Sequence, residues 1–316
     1  MSTKTNKSTA DRLFEVDYYR VALYGTLVVM LAFFLAPIET GIVTSFKTQT
    51  AVAETLPFLP AGGEGFTLSK WNTAIDVLSR GLLNSLAFAV PATLLSGLLG
   101  SITAYGLTLV NWRGQVAVLT LFVAGIFIPY QAVLVPLSKF WGVYVQLGKS
   151  LGFFWATTGI SKDYAALIEL TVTHVAYGLP MCTILFRSYY KSMSTEMMEA
   201  ARLDGATLRK IYQRIVFPLS KPMFAVVFIY QFTQIWNDLL FALILVSSSS
   251  SPAAPIVLIL SGLGSSMEGT DVALRMAGAF TAAIPTLIVY ILFGDKFAKG
   301  SHRDSIHLHG GIPWLT

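Results

Sequence analysis

Long apolar segments dominate this sequence and alternate with shorter polar ones. A helix needs ~20 mostly apolar residues to cross a hydrocarbon core of ~30 Å. Segments of that length and character each predict a membrane-spanning helix, and six of them occur, at about residues 21–43, 82–110, 116–141, 165–186, 223–246 and 276–293. The third contains Pro129 and Pro136, so we expect it to be kinked.

The composition excludes most soluble classes of protein. Hydrophobic residues make up 54% of the 316 positions and charged residues 12%, whereas a soluble domain carries roughly 25% charged residues. The single cysteine, Cys182, cannot form an internal disulfide. Residues 1–20 lack the pattern of a signal peptide, so we expect the first span to be retained. The chain is therefore predicted to be an all-α integral membrane protein with six transmembrane helices.

The placement of Lys and Arg orients these spans. With the amino terminus inside, the inner regions carry fifteen Lys and Arg and the outer regions seven, within a net charge of +5. Positive charge accumulates on the cytoplasmic side, so we expect both termini in the cytoplasm and the protein in the cell membrane. The predicted parts are a cytoplasmic segment 1–20, a six-span domain 21–295 with a basic inner loop 187–222, and a cytoplasmic tail 296–316.

The inner loop predicts two short helices joined by a tight turn. Ser194 can cap the first helix, and Glu196 suits the positive end of its dipole. Glu199 and Arg202 are three residues apart on that helix and can pair. Gly205 suits the left-handed backbone that follows a helix.

The second helix of the loop is predicted from an apolar stripe at helical spacing. The stripe consists of Leu208, Ile211, Tyr212 and Ile215. We expect Pro218 to end this helix. Two interpretations of the helix pair remain open at this point. Either it rests on lipid headgroups at the membrane surface, or it docks onto another protein, with Ala200 and Ala201 allowing close approach.

No catalytic or metal-binding group of residues is readable. Residues 142–150 resemble a phosphate loop but have five residues between the glycines, where the motif has four. His307 and His309 in the tail lack a Cys or carboxylate cluster, so no metal site is expected. His174 in the fourth span is best explained by packing or an interhelical hydrogen bond. We expect no enzyme here.

The inner loop also resembles a known family. Residues 199–201 read Glu-Ala-Ala, and Gly205, Ile215 and Pro218 follow at the spacing of the EAA loop of ABC-importer permease subunits. Phe217 stands where leucine is usual. The similarity therefore identifies the loop as an EAA-like loop.

Further motifs extend the resemblance to the carbohydrate-uptake branch of that family. They are Ser-Phe-Lys at 45–47, Ile-Pro at 128–129, Val-Pro at 135–136 and Trp-Asn-Asp at 236–238. With the order of six spans, the similarity covers most of residues 20–300 and is greatest to the second, six-span maltose-type subunit. It implies the type I ABC-importer permease fold with a cytoplasmic coupling helix.

The resemblance implies a set of partners. A second permease chain would complete a heterodimer, an extracytoplasmic binding protein would deliver sugar, and two cytoplasmic ATPase subunits would use ATP and Mg. This chain would contact membrane lipid, bind no cofactor of its own and have no nucleic-acid partner. Glu199 would pair with a basic residue in the ATPase cleft. The coupling residues implied by the motif are Glu199, Ala200, Ala201, Arg202, Asp204, Gly205, Ile215 and Pro218.

Polar residues of the fifth span are candidates for the substrate pathway. A carboxylate in hydrocarbon costs on the order of 3 kcal/mol, so Asp238 should face protein or water. With Gln234, Trp236 and Asn237 it is a candidate for sugar contact or for a gate. The alternative is that Asn237 and Asp238 only lock helix packing. In the second span, small residues four apart predict a close helix contact. These are Ala92, Ser96, Gly100 and Ala104.

Two other functions stay open. The same permease architecture can serve a polyol, a glycerol phosphate or a peptide. A stand-alone secondary transporter needs no docking loop and more often shows inverted repeats with broken helices in both halves.

Overall fold

A computed structural model describes residues 18–266 and 269–305, with side chains through residue 265 and from 269 to 294. Most of the predicted segment 1–20 and the end of the tail, with His307 and His309, lie outside these residues.

The described chain is almost entirely helical, because helices satisfy their own backbone hydrogen bonds where no water is available. The α-helices, in chain order, are α1 (Tyr18–Ser45), α2 (Gln49–Glu54), α3 (Ser69–Thr108), α4 (Gln115–Ile126), α5 (Tyr130–Lys139), α6 (Leu147–Ser150), α7 (Gly152–Thr158), α8 (Ala165–Tyr190), α9 (Thr195–Leu203), α10 (Leu208–Ile211), α11 (Phe217–Leu219), α12 (Lys221–Trp236), α13 (Leu240–Leu245), α14 (Ile256–Gly262) and α15 (Val272–Ser305). Short 3-10 helices span Gly63–Gly65 and Lys162–Tyr164, and π-helical segments span Phe140–Val145 and Tyr212–Val216. The strands β1 (Ser265–Ser266) and β2 (Gly269–Thr270) form an antiparallel pair.

Four helices of the described chain are individually long and apolar enough to cross a membrane. These are Tyr18–Ser45, Ser69–Thr108, Lys162–Tyr190 and Val272–Gly294. Two bent helix pairs also qualify when each is taken together. One joins Gln115–Ile126 to Tyr130–Ser150 at 99°, and the other joins Leu208–Leu219 to Lys221–Trp236 at 74°. Six spans are reached when each bent pair counts as one.

The third and fifth predicted spans are both broken. The kink expected in the third span from its prolines is confirmed, whereas the prediction of one unbroken helix over 223–246 was wrong. The first break lies between Ile126 and Tyr130, where Pro129 has extended backbone (φ −67°, ψ 143°). Proline lacks an N–H and disfavours helical backbone in the residue before it. The second break lies between Trp236 and Leu240 and contains no proline. There Asp238 caps the next helix with its side chain.

The centre of the molecule is a close contact between α3 and α8. Ala92, Ser96 and Ala104 of α3 are fully buried. A Cβ added at Gly100 would lie 2.6 Å from the Cβ of Cys182 in α8, so only glycine allows this approach. The predicted small-residue contact is confirmed, and such contacts hold helices together by close van der Waals packing.

The loop between α1 and α3 folds back on itself and onto α15. The Lys47 ammonium is buried and donates to Thr55 Oγ1 at 2.9 Å and to the Leu56 carbonyl at 2.8 Å. Lys70 forms an ion pair with Asp271 with 2.5 Å between nitrogen and oxygen. The Trp71 indole N–H of α3 also donates to Ser45 Oγ at the end of α1 at 3.1 Å. The ends of α1, α3 and α15 are therefore fastened together on one side of the bundle.

Candidate functional site

The first helix of the EAA-like loop, α9, begins as the sequence predicts. The Ser194 hydroxyl oxygen accepts a hydrogen bond from the Met197 N–H at 3.3 Å and donates to the Glu196 carboxylate at 2.7 Å. That hydrogen bond is the main cause that lowers the pKa of Glu196 below its usual value. Both interactions fix the start of α9.

The end of α9 is a sharp, fully hydrogen-bonded turn. Gly205 has a φ of +76°, in the left-handed region. Its N–H donates to the Arg202 carbonyl at 3.0 Å, and the Ala206 N–H donates to the Ala201 carbonyl at 2.9 Å. These are the two bonds of a Schellman motif, which satisfies the last carbonyls of a helix. The predicted role of Gly205 as a helix stop is confirmed.

Arg202 attaches α9 to the end of α3 and does not pair with Glu199. Its guanidinium donates to the Leu109 carbonyl, at the C-terminal cap of α3, with 2.6 Å between nitrogen and oxygen. In the described chain no ion pair joins Arg202 to Glu199, so the predicted pair was wrong. A cation suits the free carbonyls at the end of a helix. The Glu199 side chain therefore stays exposed.

The second half of the loop is clamped to the membrane helices by hydroxyl groups. The Ser101 hydroxyl of α3 lies 2.6 Å from the Tyr190 hydroxyl of α8 and 2.8 Å from the Tyr212 hydroxyl of the loop. The Tyr105 hydroxyl donates to the Leu208 carbonyl at 3.0 Å. Sequence reasoning missed this network, because the positions are far apart along the chain. We call these four hydroxyl residues the hydroxyl clamp.

The apolar stripe of the second helix is only partly confirmed. Ile211 is 1% exposed and Tyr212 and Ile215 are half-buried, but Leu208 is 45% exposed. Val216, which the helical spacing does not predict, is fully buried. The π-helical segment Tyr212–Val216 explains this difference, since its wider turn shifts which side chains face inward.

Pro218 lies in the last turn of the second helix, which begins at Leu208 and stops at Leu219, so the predicted end is off by one residue. The chain then turns by 74° after Leu219 and continues as α12. Phe217, the departure from the family motif, packs its ring against Tyr212 and Phe224 with centroids 6.2 and 5.2 Å apart. The larger ring is thus accommodated by aromatic neighbours.

The residues that remain exposed around the turn form a small projecting surface, which we call the loop tip. It consists of Glu199, Ala200, Leu203, Asp204 and Gly205. Leu203 is 89% exposed, and sequence reasoning did not single it out. The sequence did carry a signal for its exposure: Leu203 lies between Arg202 and Asp204 and is out of helical phase with the buried Met198. Leu203 thus adds an apolar side chain to a surface that also carries the carboxylates of Glu199 and Asp204.

The candidate pathway residues lie at the second break but face different surroundings. Trp236 is 1% exposed and donates its indole N–H to the Ala282 carbonyl at 2.9 Å. Gln234 and Asn237 are exposed, and the Asn237 amide nitrogen donates to the Thr233 carbonyl at 2.9 Å. Asp238 is nearly buried, and its Oδ2 accepts the Phe241 N–H at 3.0 Å. Only Gln234 and Asn237 thus present polar groups on the surface.

The two helix breaks meet against α8. The Tyr177 hydroxyl of α8 donates to the Ile128 carbonyl, in the first break, at 2.5 Å. The Tyr130 ring, directly after that break, lies 4.2 Å from the Tyr177 ring and 5.1 Å from the Phe241 ring. Phe241 follows the second break. The irregular segments of both spans are therefore joined through one aromatic cluster.

Comparison with known proteins shows which family shares this sequence. Residues 96–299 match the family described as "binding-protein-dependent transport system inner membrane component". The chain is 51% identical to the xylose/arabinose import permease protein of Haloferax volcanii over 96% of this chain and 99% of that protein. It is 38% identical to a probable ABC transporter permease protein of Pyrococcus horikoshii over 89% of this chain and 94% of that protein.

A solved structure has the same fold. It is a bacterial ABC transporter involved in the import of the acidic polysaccharide alginate, with a TM-score of 0.65 and 19% sequence identity. The alignment covers 93% of this chain and 99% of the solved one.

Proposed function

Because the chain belongs to the family of binding-protein-dependent transport system inner membrane components, we propose that it is the permease subunit of an ATP-driven sugar importer. It is embedded in the membrane and forms one half of the translocation pathway with a second permease chain. Pentoses are the proposed cargo, supported by 51% identity to a xylose/arabinose import permease over nearly the whole of both chains.

The remaining components of the importer are separate proteins. An extracytoplasmic binding protein delivers the sugar, and two cytoplasmic ATPase subunits bind ATP and Mg and supply the energy. The loop tip and both termini lie on the cytoplasmic side, an orientation supported by the excess of Lys and Arg in the loop 187–222. This chain takes no part in ATP hydrolysis itself.

The loop tip is the proposed site of attachment to the ATPase. Glu199 supplies a carboxylate for a basic residue in the ATPase cleft, and Leu203 supplies apolar contact area. Gly205 allows the turn to end without a protruding side chain, and a Cβ there would meet nothing within 4 Å in this chain. A compact turn of this kind fits a cleft on a partner.

The observation that carries the proposal is the rigid connection between the loop tip and the membrane helices. Arg202 fastens α9 to the end of α3, and the hydroxyl clamp fastens the second half of the loop to α3 and α8. A displacement of the tip therefore moves α3 and α8 rather than bending a loose loop. Nucleotide state and pathway state can then bias one two-state element, as coupling requires.

Glu199→Lys tests this function. The full importer, reconstituted in proteoliposomes with binding protein and ATPase, should lose at least tenfold in ATP-driven xylose uptake, since ~1.4 kcal/mol in a charged contact gives that factor. The variant should still insert and melt like the native chain, because Glu199 is exposed.

Glu64→Lys is the matched control, since it makes the same charge change at an exposed residue of the α1–α3 loop. It should leave ATPase attachment intact. Normal coupling in Glu199→Lys would remove the docking role assigned to the loop tip.

A further inference from the structure

His174 presents both ring nitrogens to groups that accept hydrogen bonds. It lies in α8 and is 5% exposed. Its Nδ1 is 2.8 Å from the Leu170 carbonyl oxygen, one turn earlier. A carbonyl oxygen can only accept, so Nδ1 carries a hydrogen.

The other ring nitrogen faces a carboxylate. His174 Nε2 lies 3.3 Å from Asp238 Oδ2, and the two side chains are 5% and 9% exposed. Within the described chain Nε2 has no aligned hydrogen bond, so the contact is electrostatic. A bare Nε2 would set its lone pair against a carboxylate in a medium of low dielectric constant, where such repulsion is strong. A protonated Nε2 turns the same contact into an attraction.

The surroundings favour an ion pair over a neutral pair. Asp238 Oδ2 already accepts the Phe241 N–H at 3.0 Å, so this oxygen acts as a hydrogen-bond acceptor. The Phe88 and Phe241 ring centroids lie 5.5 and 5.3 Å from the imidazole ring centroid, so both aromatic rings pack against His174. The neighbouring phenol groups of Tyr130 and Tyr177 are uncharged at neutral pH, so they do not compensate either charge.

We propose that His174 is a buried imidazolium that holds the Asp238 carboxylate, and through it the break in the fifth span, so that His174 is a positioning residue for transport. The contact ties α8 to the segment between α12 and α13, beside the exposed Gln234 and Asn237. Ionisable residues inside membranes are expensive and are normally paired, which this contact achieves. The protonation state of His174 is independent of the proposed function, whereas its positioning role in transport rests on the proposed function.

Nitrogen-15 spectroscopy of the histidine side chains tests the protonation state. The complete importer, labelled in histidine and embedded in lipid at pH 7, should show a His174 signal with two protonated ring nitrogens. The signal is assigned by its loss in His174→Gln. In Asp238→Asn it should change to one protonated and one bare nitrogen, a change that a residue held only by packing would not show. A neutral ring in the native protein overturns the proposal.

A matched pair of amides tests the positioning role. His174→Gln places an N–H donor near the position of Nε2 and can still hold Asp238, whereas His174→Asn places one near Nδ1 and leaves Asp238 unpaired. Loss of a hydrogen bond to a charged group is worth ~1.5–3 kcal/mol, so uptake of radiolabelled xylose should fall at least tenfold in the Asn variant. The Gln variant should retain most of the native uptake.

Controls separate this inference from the assignment of cargo. Both variants should match the native protein in membrane amount and in binding of the ATPase, because the loop tip is unchanged. Equal uptake by the two variants, or loss in both, overturns the positioning role. Failure of the native importer to take up xylose would instead contradict the proposed function, and the nitrogen signals would still decide the state of His174.

Discussion

At the scale of single residues, backbone conformation and unpaired polar atoms decide what each position must be. Gly205 adopts φ +76°. This backbone conformation is unfavourable for any L-residue that has a Cβ atom, even where there is space for the side chain. Arg202 has a neighbouring carboxylate available three residues away but donates to the end of α3. In both cases the local geometry explains why that residue type stands at a position of the family motif.

The Gly205 requirement makes a prediction that depends on conformation and not on size. A Cβ at this position meets nothing within 4 Å, so Gly205→Ala introduces no clash. It should still lower the free energy of unfolding by roughly 1 kcal/mol, because left-handed backbone is unfavourable for alanine. Gly205→Asn should be milder, since asparagine tolerates this region. Thermal melting and ATP-driven uptake of both variants measure this, and an alanine variant milder than the asparagine variant would contradict it.

At the scale of elements, the hydroxyl clamp converts two short helices into a rigid extension of α3 and α8. Ser101 contacts Tyr190 and Tyr212 at once, so one small side chain joins two membrane helices to the loop. The π-helical segment within the loop turns Val216 inward, where it is fully buried. The loop is therefore attached by packing as well as by hydrogen bonds, as the proposed transmission of movement requires.

The clamp can be measured by a double-mutant cycle. Tyr212→Phe and Ser101→Ala should each lower the free energy of unfolding by about 1 kcal/mol, the usual worth of a hydrogen bond. Because the two side chains contact each other, the double variant should lose less than the sum. The Tyr212→Phe importer should also hydrolyse more ATP per sugar carried. Additive losses in the cycle would show that the two hydroxyl groups do not interact.

At the scale of the whole molecule, the features divide between two ends of the bundle. The loop tip lies at one end, and the Lys70–Asp271 ion pair fastens α3 to α15 at the other. The two helix breaks lie between these ends and meet at α8. The contacts proposed above, with an ATPase at the loop tip and a binding protein at the other end, would require this order.

The proposed orientation can be tested with a thiol reagent that does not cross membranes. Ala200→Cys should react only in inside-out vesicles, and Glu64→Cys only in intact cells, since both residues are exposed at opposite ends. Cys182 is fully buried, so the native chain serves as the unlabelled control. Labelling of Ala200→Cys in intact cells would place the loop tip outside and remove the proposed contact with the ATPase.

Elements and turns with a local cause were predictable from the sequence. The apolar segments, the Ser194 cap, the left-handed Gly205 and the small residues of α3 all follow from the chemistry of nearby positions, and the structure agrees. The break in the fifth span was not predictable in this way, because the span contains no proline or glycine and its polar residues, Gln231, Thr233, Gln234, Asn237 and Asp238, do not by themselves stop a helix. A side-chain cap supplied by Asp238 interrupts the helix there.

The sequence by itself determined that this chain spans a membrane and carries a capped, exposed turn, because hydrophobicity and helix ends depend on residues close together along the chain. Only the tertiary structure decided which polar groups meet. His174 faces Asp238, Ser101 joins Tyr190 to Tyr212, and Arg202 reaches Leu109. The two members of each of these contacts are separated by 64 to 111 positions and become neighbours only when the helices pack together, so no local pattern encodes them.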